Sequence, residues 1–280
     1  MPKIISIANQ KGGVGKTTIS TQLAYHICGK LHKPTLLVDL DPQGNASAVL
    51  HHQNPDYSAE ETSAAELFKG PLDQVVPTPI IDYIDEETGE KTVLSLIHTA
   101  ENDRELANVE QLYLGTKDIE TGEELFTLTK TFKKNLNKIA DNYEYIVLDC
   151  PPSLNSLLPS ALLISHAVVS PITLPSFTRA SIEGISKTIF DLQSYNPNLK
   201  YLGIIVNNFD NSKMEADTLV EMKDLYGDKV FANKINHRAP IGRASKLGNP
   251  IWIEKNGTYA ASEFEAVFNE LFERWEAKPE

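Results

Sequence analysis

The chain has 280 residues, 41% of them apolar and 23% charged, which is the composition of an ordinary soluble globular protein. Its formal net charge of −12 opposes indiscriminate binding to DNA or anionic lipid, so a polyanionic partner would need a local basic patch. Its two cysteines, Cys28 and Cys150, form no CxxC pair, which disfavours disulfide, zinc and iron–sulfur scaffolds and fits a reducing cytosol. No apolar run approaches the roughly 18 residues of a membrane span, so we expect no membrane partner.

Apolar segments rich in β-branched residues recur along the chain, and each one ends in a turn or a polar residue. Near-continuous apolar strands are typical of parallel sheets that are covered on both faces. Patterns with three- and four-residue spacing, typical of helices, lie between these segments. The alternation predicts a doubly wound α/β domain, with a mainly parallel sheet flanked by helices and ligands at the carboxyl ends of the strands. The predicted strands are 4–9, 35–41, 145–150, 167–172 and 202–208.

The middle of the chain, about 51–121, is less regular than the rest. Residues 80–97 contain two strand-like runs around a polar turn with Gly89, which predicts a β-hairpin. No polar linker separates two cores, so we interpret residues 1–280 as a single domain with a variable elaboration at 51–121. Near the C-terminus, apolar residues from Phe264 to Trp275 share one helical face, which predicts a helix packed on the body of the protein.

The segment KGGVGKTT, residues 11–18, follows a predicted strand and begins a predicted helix. Its glycines let backbone amides turn inward around phosphate oxygens, because a Cβ would obstruct the approach. In such a loop Lys16 supplies charge to the β- and γ-phosphates, and Thr17 offers its hydroxyl to Mg²⁺. The context therefore predicts a phosphate-binding loop. Its remaining cradle residues are Gly12, Gly13, Val14 and Gly15.

This loop departs from the usual GxxxxGK[ST] pattern in one respect. The first glycine position is occupied by Gln10, and a lysine, Lys11, follows it. The loop thus contains two lysines, although phosphate binding needs only Lys16.

Three aspartates complete the predicted nucleotide site. Asp39 and Asp41 lie two positions apart at a strand end, which predicts that both project to the same side. A bound Mg²⁺ or a hydrogen-bonded water would relieve their repulsion. Asp149 ends another apolar strand, in the arrangement of a Walker B aspartate. A lone aspartate here would more often be a turn or cap residue, but three behind a phosphate loop favour a functional site.

Together, KGGVGKTT, DLDPQGN and DCPPS resemble the deviant Walker A ATPases of the ParA/MinD group, and DPQGNA after LLVDL resembles the Soj-type ParA branch. The resemblance covers residues 1–50 and 144–280. It implies a P-loop NTPase fold, weak ATP hydrolysis with Mg²⁺, and an ATP-dependent homodimer.

The resemblance also implies a role for each site residue. Lys11 would reach the partner subunit's nucleotide, while Lys16 serves its own subunit and Asp41 positions the attacking water. Thr18 would lie near the α-phosphate, and Asn207 would contact adenine. The implied metal-site residues are Thr17, Asp39 and Asp149.

One late segment departs from the pattern of the family. Relatives commonly carry PRN…EAP…GKPI, where this chain has NHRAPIGRASKLGNPI at 236–251, so their DNA-contacting arginines have no one-for-one counterparts. The region is nevertheless basic and is the best candidate for a DNA-backbone patch. The alternative is a solvated loop whose charges pair with nearby glutamates. The patch residues would be Lys234, His237, Arg238, Arg243 and Lys246.

These features predict a ParA-like ATPase for plasmid or chromosome partition. Its dimer would hold nonspecific DNA on the nucleoid in the cytoplasm, and a ParB-like centromere-binding or adaptor protein would stimulate hydrolysis and release. Two alternatives stay open. One is a MinD-like or cargo-positioning ATPase, although the chain ends in ERWEAKPE rather than a basic amphipathic helix. The other is a metabolic relative such as a dethiobiotin-synthetase-like carboxylate ligase, from which DPQGNA and Lys11 point away.

Overall fold

The computed structural model describes residues 1–54, 61–85, 88–109, 123–152 and 156–277, and a seven-stranded sheet forms its centre. In chain order the strands are β1 (Lys3–Ile7), β2 (Thr35–Asp39), β3 (Thr78–Ile84), β4 (Lys91–Ile97), β5 (Tyr145–Asp149), β6 (Ala167–Ile172) and β7 (Lys200–Val206). Their order across the sheet is β3-β4-β2-β5-β1-β6-β7. All neighbouring pairs are parallel except β3–β4. The predicted doubly wound, mainly parallel α/β fold is confirmed.

Helices cover both faces of this sheet. Within the described ranges they are α1 (Lys16–Gly29), α2 (Asn45–His51), α3 (Glu66–Lys69), α4 (Arg104–Ala107), α5 (Glu123–Leu136), α6 (Leu157–Ile164), α7 (Arg179–Gln193), α8 (Lys213–Tyr226), α9 (Ala239–Leu247) and α10 (Thr258–Glu276). Helices α1, α2, α9 and α10 share one apolar core, and α3 to α7 share the core on the other face. No helix in the described ranges has the length and apolar character needed to cross a bilayer.

The central strands are buried on both faces, which explains their continuous apolar sequences. In β5, Tyr145 and Val147 join the core beside α1, whereas Ile146 and Leu148 join the core beside α6. All residues of β2, β5 and β6 are buried. Burial of one such aliphatic side chain stabilises the fold by about 1.5–3 kcal/mol. The buried strands therefore hold the polar residues at their ends in fixed positions.

The predicted hairpin region extends the main sheet. Strands β3 and β4 pair antiparallel, and β4 also pairs in parallel with β2, from Thr35–Leu94 to Val38–Ile97. The short helices α2, α3 and α4 also lie in or beside the middle segment, where the sequence pattern was irregular. Residues 55–60, 86–87 and 110–122 of the predicted elaboration lie outside the described residues.

Helix α10 packs through the predicted face. Phe264, Phe268 and Leu271 are at most 2% exposed and belong to the same core as α1. Because α1 begins at the glycine loop, this packing holds the helix of the candidate site against the sheet.

Gly203 in β7 shows how closely another segment approaches the sheet. Its φ is +123°, and a Cβ at this position would lie 2.2 Å from the carbonyl oxygen of Lys229. We expect Gly203→Ala to lower the free energy of unfolding by at least about 2 kcal/mol, because both the backbone and the contact become strained. Urea denaturation measures this change.

Gly242→Ala, within α9, is the matched control. Nothing lies within 4 Å of a Cβ built there, so alanine should change stability by no more than about 1 kcal/mol, in the favourable direction. A Gly203→Ala protein as stable as the wild type would contradict the close approach of residue 229.

Candidate functional site

The loop between β1 and α1 contains two glycines with left-handed backbone. Gly13 has φ +74° and Gly15 has φ +89°, a region that residues with a Cβ rarely adopt. A Cβ on Gly15 would also lie 2.0 Å from Nδ2 of Asn207. Gly15 is therefore required both by its backbone angles and by the side chain packed against it.

Asn207 lies directly after β7 and supports this loop from behind. Its Nδ2 donates to the carbonyl oxygen of Val14 at 3.0 Å, and its backbone N–H donates to the Ile172 carbonyl at 2.8 Å. The residue is only 7% exposed. Its amide thus holds the loop in place, a role that the resemblance to adenine-contacting residues did not include.

The two lysines of the loop have different surroundings. Lys16 is 7% exposed, and its Nζ donates to the carbonyl oxygen of Lys11 at 3.1 Å. Burial lowers the pKa of Lys16, while the negative charges of Asp149 and Asp41 act in the opposite direction. Lys11 is half-buried, and its backbone N–H donates to Oδ1 of Asn9 at 2.9 Å. The second lysine therefore helps to hold the first through its main chain.

Asp149 joins the first turns of α1 to the end of β5. Its Oδ2 accepts from the Thr17 hydroxyl and its Oδ1 from the Ser20 hydroxyl, both at 2.8 Å. The residue is fully buried, and burial raises the pKa of its carboxyl group; the two hydroxyls and Lys16 oppose this shift. The predicted metal-site pair, Thr17 and Asp149, is thus in direct contact.

Asp39 lies beside Asp149 in the register of β2 and β5 and is also fully buried. Burial raises the pKa of its carboxyl group, and the neighbouring Asp149 charge raises it further. Its Oδ2 accepts from both the amide and the hydroxyl of Ser47, and its Oδ1 accepts from the Asp41 amide. Asp39 therefore anchors the segment that follows β2 and is already supplied with protein donors.

Asp41 lies beyond the strand end, at the wall of a cleft. Strand β2 ends at Asp39, two residues earlier than predicted, and Asp41 lies in the following turn, where its Oδ1 accepts from the Gln43 amide at 3.0 Å. A cavity of about 430 Å³ brings it together with the loop. The lining residues are Gly12, Gly13, Gly15, Lys16, Thr17, Thr18, Asp41, Gln43, Asn45 and Pro152.

A second cavity, of about 360 Å³, adjoins the first. Both are lined by Gly13, Gly15 and Thr18, and the second continues past Asn207 to α9. Because they share these lining residues, the two cavities meet at the glycine loop, and we refer to them together as the cleft.

Two of the five predicted DNA-binding residues line this second cavity. Nδ1 of His237 lies 2.8 Å from Oδ1 of Asn208, within hydrogen-bond distance. Both Nε and Nη2 of Arg238 donate to Oε1 of Glu263, at 3.0 and 2.6 Å. These two residues therefore belong to the cleft.

Of the other three, Arg243 and Lys246 lie on α9, whereas Lys234 precedes it. Arg243 is exposed, lies 3.6 Å from the Glu254 carboxylate and donates to the Lys255 carbonyl oxygen at 2.6 Å. Lys246 is exposed near the end of α9. The Nζ of Lys234 lies 4.9 Å from the ring centroid of Phe209. The five predicted residues thus have different surroundings, and a shared DNA surface stays a prediction.

Ser20 and Ser47 are site residues that the sequence interpretation missed. Ser20 lies three residues after Thr17 on α1, so helical spacing alone could have placed both hydroxyls near one acceptor. No comparable signal leads from Asp39 to Ser47, because that contact depends on the turn at Gly44, where φ is +65°.

Known proteins are similar to this chain over most of its length. A family profile described as an AAA domain, AAA_31, matches residues 2–201. The chain is 30% identical over 259 residues to the sporulation initiation inhibitor protein Soj of Bacillus subtilis, covering 90% of each sequence.

Two solved structures match the fold. A putative plasmid partition protein from Borrelia burgdorferi, bound to AMPPNP, has a TM-score of 0.71 and 25% identity over 98% of this chain and 100% of that one. Cobyrinic acid a,c-diamide synthase from Mycobacterium smegmatis, with bound ADP and magnesium, has a TM-score of 0.66 and 26% identity over 88% of this chain and 91% of that one. With the family profile and the Soj match, these findings show that the chain belongs to the ParA/MinD family of deviant Walker A ATPases and resembles its Soj-type ParA members.

Proposed function

We propose that this protein is a weak ATPase that acts as an ATP-dependent dimer in DNA partition. ATP and Mg²⁺ bring two subunits together, the dimer holds nonspecific DNA, and a ParB-like or adaptor protein stimulates hydrolysis and release. The observation that carries the proposal is the loop itself, in which Lys16 is buried at the phosphate cleft and its Nζ donates to the backbone carbonyl oxygen of a second lysine, Lys11. Of these two lysines, Lys16 lines the phosphate cavity and Lys11 does not, which supports a role for Lys11 outside its own cleft.

The cleft residues fit ATP with Mg²⁺. A Cβ at Gly12 or Gly13 would meet no atom within 4 Å, so the backbone amides border open space in which phosphate oxygens can lie. The Thr17 hydroxyl and the Asp149 carboxylate provide the oxygen donors that Mg²⁺ uses in P-loop sites. The AMPPNP and the ADP with magnesium in the two solved relatives support this assignment. Bound Mg²⁺ would neutralise phosphate charge.

Each cleft residue has a distinct part in the proposed hydrolysis. Lys16 places its ammonium group at the β- and γ-phosphates, and the N-terminus of α1 contributes further positive potential. Thr17 would hold the metal, and Asp149 and Asp39 would organise the oxygen donors around it. Asp41 orients the attacking water, since phosphoryl transfer to water needs positioning and charge neutralisation rather than a covalent intermediate.

In the proposed dimer, Lys11 contacts the nucleotide of the partner subunit. The γ-phosphate then completes the interface, so its loss on hydrolysis removes the contact that favours the dimer. The protein would thus switch between an ATP-bound dimer and a state after hydrolysis, which differ in the attraction between Lys11 and the γ-phosphate of the partner subunit.

Helix α9 is a physical connection between the nucleotide and DNA in this proposal. Ile241 and Ser245 line the second cavity, while Arg243 and Lys246 are exposed on the same helix. Nucleotide in the cleft would therefore contact the element that presents the basic side chains. Because the chain is acidic overall, two copies of this weak patch in a dimer would gain affinity by effective concentration.

A second candidate function is ATP-dependent amide synthesis, which the likeness to cobyrinic acid a,c-diamide synthase favours. The two candidates differ in what accelerates ATP turnover. A carboxylate substrate with a nitrogen donor would accelerate an amide synthase, whereas DNA with an adaptor would accelerate a partition ATPase.

Asp41→Ala tests the hydrolytic part of the proposal. We expect ATP turnover to fall by about 100-fold or more, the scale on which a positioned proton-accepting group contributes, while ATP affinity changes little because the phosphate contacts remain. The ATP-bound dimer should therefore persist, as sizing chromatography with ATP would show.

Asp85→Ala is the control, because it removes a carboxylate that likewise accepts a backbone N–H, that of Thr88, in the β3–β4 turn. Its turnover should equal that of the wild type. An Asp41→Ala protein that stays monomeric with ATP would show that the role assigned to Asp41 is wrong.

Neutralising Arg243 and Lys246 together tests the proposed DNA surface. The double alanine variant should bind nonspecific DNA more weakly, and the slope of log affinity against log salt should fall by about two per subunit, because about one counterion is released per phosphate contact. Fluorescence anisotropy across a salt series measures both.

A double alanine variant at the exposed residues Lys223 and Lys229 makes the same change in charge at another surface. It should keep the wild-type slope. If both double variants reduce the slope equally, net charge rather than α9 governs DNA binding.

A further inference from the structure

We propose that Gln10 is a positioning residue, which ties the loop segment carrying Lys11 to helix α7. The contact between Gln10 and Thr188 then sets where Lys11 is presented to a second subunit. This inference rests on the proposed trans role of Lys11, its contact with the nucleotide of the partner subunit. It concerns Gln10 and Thr188, which have no part in that role as proposed above.

Gln10 reaches from the loop across the surface of α7. Its Nε2 donates to the Thr188 hydroxyl at 3.3 Å, and that hydroxyl donates to the carbonyl oxygen of Gly184 at 3.0 Å. A Cβ at Gly184 would lie 2.9 Å from Oε1 of Gln10. The Gln10 amide thus lies against α7 at positions 184 and 188, and the absence of a side chain at Gly184 makes room for it.

Asn9 holds the same segment from the sheet. Its Nδ2 donates to the Pro171 carbonyl oxygen at 2.8 Å, its Oδ1 accepts from the Lys11 backbone N–H at 2.9 Å, and the residue is 1% exposed. The carbonyl oxygen of Lys11 accepts from Lys16 at 3.1 Å. The backbone of Lys11 is therefore held at both its N–H and its C=O.

These contacts matter because a lysine side chain has high rotamer entropy. A contact across a dimer interface has to overcome that entropy, and a fixed backbone reduces what remains to be ordered. Asn9 and Lys16 fix Lys11 relative to its own loop, whereas Gln10 fixes the loop relative to α7. Loosening the Gln10 contact should therefore impair the trans contact more than binding of nucleotide in the same subunit.

Two variants of Thr188 separate the hydroxyl from the shape of the side chain. Thr188→Val keeps the shape and removes the hydroxyl, whereas Thr188→Ser keeps the hydroxyl. We expect Thr188→Val to weaken ATP-dependent dimerisation and to slow hydrolysis by about 2- to 10-fold, the range for loss of one net hydrogen bond. Monomer affinity for Mg²⁺ and ATP, measured at low protein concentration, should change less than about 2-fold. Thr188→Ser should match the wild type.

Hydrogen exchange of the peptide 9–16 in the nucleotide-free monomer provides a readout that needs no dimer. In the Thr188→Val protein, the amide hydrogens of this peptide should exchange faster than in the wild type or in Thr188→Ser. Unchanged exchange together with unchanged dimerisation overturns the inference. An equal loss of monomer nucleotide affinity and dimerisation also overturns it, because the contact would then be merely structural.

The proposed function and the role of Gln10 can be tested separately. A wild-type protein that forms no dimer with ATP contradicts the proposed switch and, with it, the trans presentation of Lys11. Hydrogen exchange then still shows whether Gln10 ties the loop to α7.

Discussion

The buried carboxylate of Asp149 is the constraint on which the rest of the site depends. A charge removed from water costs several kcal/mol unless other groups compensate for the lost hydration. Here Thr17 and Ser20 donate to its two oxygens, and Lys16 adds a nearby positive charge. All three of these residues belong to the first two turns of α1. The requirement to satisfy Asp149 therefore fixes the start of α1, and with it the glycine loop, against the end of β5.

Side-chain amides secure the opposite side of the loop. The Asn9 amide connects it to the Pro171 carbonyl oxygen at the end of β6, the Asn207 amide connects it to the end of β7, and Gln10 connects it to α7. The loop therefore spans two groups of elements: β5 on the carboxylate side, and β6, β7 and α7 on the amide side. A movement of α7 or β7 relative to β5 would change the loop that contains both lysines, which suits a protein whose proposed action depends on a nucleotide-controlled interface.

Local sequence patterns were sufficient to predict the strands and the position of the cleft. Continuous apolar runs gave the parallel strands, and the glycine loop between a strand and a helix located the cleft, because both signals lie within a few neighbouring residues. The addition of β4 beside β2 was not predictable, since it depends on pairing between residues far apart in sequence. For the same reason, Ser47 beside Asp39 and Asn207 behind Gly15 emerged only from the fold. The surroundings of the basic residues also emerged only from the fold, which places Arg238 in the cleft beside Glu263 and leaves Lys246 exposed on α9.

The central claim is that Lys11 serves a second copy of the chain, and a mixing experiment tests it most directly. Lys16→Ala removes the phosphate lysine of one subunit, and Lys11→Ala removes the proposed trans lysine of the other; each protein alone should hydrolyse little ATP. In a mixture, a Lys16→Ala subunit can supply Lys11 to ATP bound by a Lys11→Ala subunit. We predict that the mixture hydrolyses ATP faster than the sum of its components. A rate equal to that sum, with both variants folded and the Lys11→Ala subunit still binding ATP, would show that Lys11 acts within its own subunit.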